Sequence, residues 1–125
     1  LNISQHPIFG CGFQGFWVLD SPIIQMLYNS FLWLPIQAHN GYLDITNEMG
    51  LIGLILFIMI VINYFVVGII NRRISLWTWF VVFPLVMNFT ETTLFRVGHI
   101  STVFIMLGYL MMFSPIFEKS TIKNI

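Results

Sequence analysis

Charge is what this sequence has least of. Five basic and five acidic side chains stand among 125 residues, 8% in all, where a soluble domain carries about 25%. A water-facing surface cannot be tiled from so few. With 58% of residues hydrophobic and 17% aromatic, the class that remains is a polytopic membrane protein. The formal net charge is zero, which removes the broad basic field that draws in nucleic acid. Cysteine is nearly absent too. Cys11 alone excludes an internal disulfide and a cysteine-rich metal site. It lies among apolar and glycine residues with no nearby cation to favour a thiolate, so it is no candidate nucleophile. The histidines, His6, His39 and His99, show no paired spacing such as HxxxH, so neither a metal nor a cofactor is expected. No charged, cleavable leader follows Leu1, and the chain is expected to be a stretch of a longer protein.

Long apolar runs are abundant. Residues 51–70, "LIGLILFIMIVINYFVVGII", contain one strongly polar side chain, Asn63. Twenty residues at about 1.5 Å each give roughly 30 Å of helix, the thickness of a bilayer's hydrocarbon core. Asn63 within it is expected to bond a neighbouring helix. Residues 74–87 are apolar but too short to cross unless the helix continues through "NFTETTLF" to residue 95, with Pro84 kinking it. A third span is expected over residues 100–117. The first fifty residues differ: "HPIFGCGFQGFW" mixes three glycines and a proline with aromatics, and suits a tight turn before an interfacial segment. Residues 23–33 are apolar but too short to cross, while Trp17, Tyr28, Trp33 and Tyr42 suit the headgroup level. The predicted fold is therefore all-α: one integral membrane region over residues 1–125, with an outward loop and interfacial helix over 1–50 and transmembrane helices at 51–70, 74–95 and 100–117.

Three crossings give two sides. Arg72, Arg73, Lys119 and Lys123, with Glu118, fall on one; Asp20, Asp44, Glu48, Glu91, the three histidines and Arg96 fall on the other. The positive-inside rule places the first set in the cytoplasm, and every candidate for chemistry faces outward.

Two polar groups stand on that outer side, besides the glycine–aromatic stretch. In "AHNGYLDITNE", Asn40 is a candidate N-cap, and Asp44 and Glu48 follow in the early turns, where carboxylates meet the positive end of the helix dipole. Capping alone accounts for those three but not for His39. An imidazole there can take a proton from a hydroxyl at neutral pH, with a neighbouring carboxylate orienting the ring. In "NFTETTLFRVGH", Glu91 is costly near hydrocarbon unless it faces a bundle interior or pairs with a cation, for which Arg96 is a candidate; an ordinary outward loop with hydrogen-bonding threonines fits the same residues. "NFT" also matches the short glycosylation-acceptor pattern.

The order of these groups resembles the C-terminal part of the bacterial O-antigen ligase and polymerase family, especially its exopolysaccharide-polymerase branch. "PIFGCGFQGFW" is followed by "AHNGYLDITNEMGLIGLILFI", a basic turn, and "NFTETTLF". The specific element is His-Asn-x-Tyr-Leu at His39 to Leu43 running into Gly-Leu-x-Gly-Leu at Gly50 to Leu54. The resemblance implies a metal-independent, inverting glycosyltransferase with many more spans, on the outer face of the bacterial cytoplasmic (inner) membrane. It implies transfer of a glycan from undecaprenyl diphosphate to a sugar hydroxyl, in O-antigen, capsule or exopolysaccharide assembly. The partners implied are the lipid-linked donor, a glycan or lipid A-core acceptor, and membrane lipid. His39 matches the family's base, with Asp44 or Glu48 as orienters; Asn40, Tyr42, Glu91 and Arg96 are the candidates for binding substrate. One arginine is thin for a diphosphate, so this stretch alone is expected to turn over nothing. Two other classes fit the same composition: a non-enzymatic segment of a polysaccharide flippase or other multi-span transporter, with Asn63 and Glu91 lining a pathway, and a small structural membrane subunit.

Overall fold

The computed structural model of the chain describes residues 2–31, 37–71, 76–96 and 98–114. Among them every regular element is a helix: α1 (Asn2–Gln5), α2 (Pro22–Phe31), α3 (Gly41–Ile70), α4 (Leu76–Met87) and α5 (Ile100–Phe113). Arg72, Arg73, Glu118, Lys119 and Lys123, whose charges drew the topology, and Trp33 lie outside the described residues.

Helix α3 begins where the sequence put its cap. The Asn40 side chain accepts from the amides of Tyr42 and Leu43, both at 3.1 Å, satisfying two of the donors a helix start leaves open. Among the described residues α3 alone is long and apolar enough to cross a membrane. Its apolar side chains point in every direction, and Ile55, Ile58, Met59, Ile62 and Ile69 are all exposed. A helix apolar all round and uncovered is built for lipid or for neighbouring helices, not water.

The helix is broken once, at Gly50, whose φ of 68° and ψ of −170° are not helical. A break strands carbonyls on one side and amides on the other, which is costly beside hydrocarbon unless something repairs it. The glycine-rich stretch predicted as a tight turn does so. Amides of Cys11 and Gly12 donate to the carbonyls of Asn47 and Glu48 at 3.1 and 2.8 Å, while Leu51 and Ile52 donate to the carbonyls of Pro7 and Ile8 at 2.9 and 3.3 Å. The Cys11 thiol adds a contact to the Asn47 carbonyl at 3.2 Å. Backbone lies directly on backbone here: a Cβ on Gly10 would meet the Glu48 carbonyl, and one on Gly50 would meet that of Ile8. Gly50→Ala is therefore expected to cost about 1–3 kcal/mol in backbone strain before any clash is counted. Hydrogen exchange reads the result: the amides of Cys11, Gly12, Leu51 and Ile52 should lose protection together. Unchanged protection would show that the loop is held some other way.

Helix α4 stops at Met87 instead of running to residue 95, and Asn88 is the reason. Its side chain is fully buried, and its Oδ1 accepts from the amides of Thr93 and Leu94, each at 3.2 Å, folding the chain back on itself. Its carbonyl accepts from the Gly41 amide at 2.8 Å, and the Gly41 Cα packs on the Asn88 amide where no Cβ would fit. The second predicted span is thus corrected to a twelve-residue helix, about 18 Å long. Pro84 sits inside it, buried. The third is fourteen residues, about 21 Å, closed by Ser114; residues 115–117 lie outside the described set.

Two apolar clusters join the helices. Ile45, Phe57 and Leu94 form one against Tyr42, Met49 and Ile105; Tyr64, Val81 and Met112 form the other against Phe65 and Tyr109. Asn63 reaches the Tyr109 hydroxyl on α5 at 3.5 Å, the helix-to-helix contact expected of it. The outcome is a frame that holds the start of α3 against the turn after α4.

Candidate functional site

That juxtaposition brings residue 39 to residue 91. Besides the bond from Gly41, the Asn40 Nδ2 donates to the Phe89 carbonyl at 3.3 Å. The two segments are stitched on both sides of the contact, and His39 Nδ1 stands 3.2 Å from Glu91 Oε2. Gln37 Nε2 donates to the same carboxylate oxygen at 3.1 Å. Gln37 Nε2 also stands 3.2 Å from His39 Nδ1; in the tautomer that carries its proton on Nδ1 the ring donates to Glu91 and leaves the Nε2 lone pair open. The side chains are 57% and 48% exposed, and a pair so wet adds little stability; its value is orientation.

His39 is held in the left-handed region, with φ of 51°, a conformation that costs a non-glycine residue about 1–2 kcal/mol. Its neighbours account for the persistence. On one side Asn40 is committed to the cap, and on the other the Ala38 amide donates to Asp44 Oδ2 at 3.2 Å. The strained residue sits between two fixed points.

Asp44 itself is a hub. It is 4% exposed, and it accepts from Trp17 Nε1 at 2.8 Å and the Thr92 hydroxyl at 2.6 Å as well as from Ala38. An Arg96 guanidinium nitrogen stands 4.0 Å from Oδ2. Glu48, one turn on, lies ahead of the break at Gly50 and accepts from the Gln14 amide at 2.9 Å.

The sequence had nominated Asp44 or Glu48 as the orienter of His39 and Arg96 as the partner of Glu91. The structure assigns these differently: Glu91 meets His39, and Arg96 pairs with Asp44. The reason is the early end of α4, which swings Glu91 back over the start of α3. Asn40 and Tyr42, expected to bind substrate, have their polar groups committed to the backbone. The Tyr42 hydroxyl donates to the Leu85 carbonyl at 2.8 Å, and its ring packs 4.8 Å from that of Phe89. His99 caps α5, accepting from the Ser101 amide at 3.3 Å. Gln37, Thr92 and Trp17 were not foreseen. Gln37 has the one readable hint, its position two residues before His39.

Two cavities adjoin at Thr92 and Arg96, which line both. The larger, about 530 Å³, has Phe83, Met87 and Phe104 on its apolar side and Gln37, Glu91, Arg96 and His99 on its polar side. The smaller, about 290 Å³, lies toward Trp17, Asp44, Glu48 and Phe95.

Half of this chain is similar to bacterial proteins named for polysaccharide ligation. Over 66 residues it is 41% identical to a protein of Rickettsia felis named "putative polysaccharide ligase", and 39% and 38% identical to like-named proteins of Rickettsia conorii and Rickettsia bellii. In each case the match covers 50% of this chain and 16% of the relative. No family model matches the chain. No solved structure matches it. The chain is thus an all-helical stretch, among the described residues, that carries a long apolar helix and a histidine–glutamate pair, and its similarity is to less than a fifth of the length of polysaccharide-ligase-like proteins.

Proposed function

We propose that this chain belongs to a membrane glycosyltransferase of O-antigen ligase or polymerase type, forming the part that activates the acceptor hydroxyl. The observation that carries this is the His39–Glu91 contact at the polar edge of an apolar cleft. His39 Nε2 removes the proton from a sugar hydroxyl as that oxygen attacks the anomeric carbon of the donor. The bond from that carbon to the diphosphate breaks with inversion, and Glu91 steadies the imidazolium that forms. The donor is a glycan on undecaprenyl diphosphate, whose tail fits the apolar side of the larger cleft. Arg96 faces the negative charge that develops on the leaving group, with further cations supplied from elsewhere in the protein. Residues 1–125 form one integral region of the bacterial inner membrane, with α3, α4 and α5 as its membrane helices and the His39 end outward. O-antigen, capsule or exopolysaccharide is the product.

The test is Glu91→Gln in the intact protein. A carboxamide can donate to Nδ1 and so place the imidazole proton on the wrong nitrogen. Glycan joining in membranes should fall by at least about tenfold, the scale of a lost orienting partner, with protein level unchanged. One observation favours the transporter class instead: the break at Gly50, because discontinuous helices are common where transporters hold substrate. The same variant separates the two. A transporter segment would keep joining intact and halt glycan movement across the membrane.

A further inference from the structure

We propose that the smaller cavity is a subsite for one uncharged pyranose ring and refuses a sugar that carries its own carboxylate. The proposal rests on the glycan transfer argued above and adds what the acceptor must look like at this position. At about 290 Å³ the cavity lies at the bottom of the range for small-molecule pockets, about 300 Å³ upward, room for a single ring and not a chain of them.

Its walls divide as a sugar does. Trp17, Met49 and Phe95 are apolar, and Asp44, Glu48 and Arg96 are charged. A pyranose shows a face of C–H bonds, which packs against aromatic and thioether surface, and an edge of hydroxyls, which donate to carboxylates. Asp44 is already taken by Trp17, Ala38 and Thr92 and is 4% exposed, so it fixes the wall and its charge, and Glu48 is the carboxylate placed to accept a sugar hydroxyl. Glu48 takes one amide, that of Gln14, at 2.9 Å, and a carboxylate has room for several more donors. The strained residues gather here as well: Gln14 and Phe95, at φ of 58° and 57°, both line this cavity.

The charge balance gives the selectivity. Two carboxylates face one guanidinium, and that guanidinium is already 4.0 Å from Asp44. A uronic acid would bring a third carboxylate within a few ångströms of the other two, in a recess where water screens poorly. A diphosphate is refused on the same ground and falls to the other side of Arg96, where the larger cleft offers His99 and the N-terminal end of α5. An ordinary hexose or N-acetylhexosamine meets no such penalty.

The experiment uses the full chain in lipid nanodiscs. Trp17 is one of four tryptophans, so a variant with Trp33, Trp77 and Trp79 changed to phenylalanine reports on this cavity by fluorescence. Saturation-transfer NMR on the unmodified chain serves as the second measurement. The probes are the methyl glycosides of glucose, galactose, mannose and N-acetylglucosamine, against methyl glucuronide. At least one neutral glycoside should saturate in the millimolar range. Methyl glucuronide should bind at least about tenfold more weakly, a difference of about 1.4 kcal/mol, and Glu48→Gln should narrow that gap. No saturable response to any neutral glycoside by either measurement overturns the proposal, as does glucuronide binding as tightly as glucoside. His39→Ala, assayed for joining in the intact protein and for titration in the nanodiscs, keeps its failure apart from that of the transfer chemistry. Lost joining with a normal neutral-sugar titration supports both; lost joining without any titration removes the subsite alone. A normal titration with joining intact removes the base alone.

Discussion

His39→Ala should abolish measurable glycan joining in the intact protein, a fall of about 10²- to 10⁴-fold, the range a positioned general base supplies. The size follows from what the substitution removes. No other imidazole stands at the Glu91 contact, and His99 is turned to capping α5 through its Nδ1. Stability should barely change, because the ring is 57% exposed and its contact with Glu91 is open to water. Alanine also relieves little at φ 51°, since any residue with a Cβ meets the same left-handed strain. The two readouts must therefore part company: joining is lost while membrane protein level and thermal midpoint hold. Asparagine, which tolerates the left-handed region, is the sharper control, because it keeps the backbone comfortable and still offers no base. Near-normal polymer length in either variant would remove His39 from the chemistry.

Much of this arrangement was legible before any fold was known, and the limits of that legibility are physical. The long apolar run of α3 and its Asn40 cap follow from local rules of length and capping, and local rules read well from sequence. The partner of His39 does not, because 52 residues separate it from Glu91. What joins them is the Asn88 side chain, which ends α4 early by bonding the amides of Thr93 and Leu94. The apolar run stops at Met87, too short to cross, and only the demand for a full span carried the expected helix on through the polar residues to 95. The glycine stretch near the N-terminus was the hardest case. Its glycines read as a turn, and they are one, but their purpose is visible only when Gly10 is laid against the break at Gly50. Two signals forty residues apart, each weak alone, are halves of one junction.

Asp44→Ala carries the largest expected loss of stability. Three donors converge on this carboxylate from three separate segments: the Trp17 indole, the Ala38 amide and the Thr92 hydroxyl. Arg96 adds its charge at 4.0 Å. Alanine would leave those donors without an acceptor in a site where the carboxylate is 4% exposed. Leaving a buried donor unpaired costs about 1–3 kcal/mol for each group. Asp44→Asn should cost less but not nothing. Its carbonyl oxygen can keep one donor, the indole for example, and the Thr92 hydroxyl can turn to accept from its amide group, but that group faces the Ala38 amide as donor against donor. Thermal unfolding in detergent should therefore rank wild type above Asn and Asn above Ala, with Trp17 fluorescence shifting in both variants. Activity should fall together with stability here, unlike at His39, since Asp44 fixes the Ala38 end of the strained turn and also lines the proposed sugar subsite. An alanine variant that melts with the wild type would mean that the four segments are held together without Asp44, and that the geometry at His39 is set elsewhere.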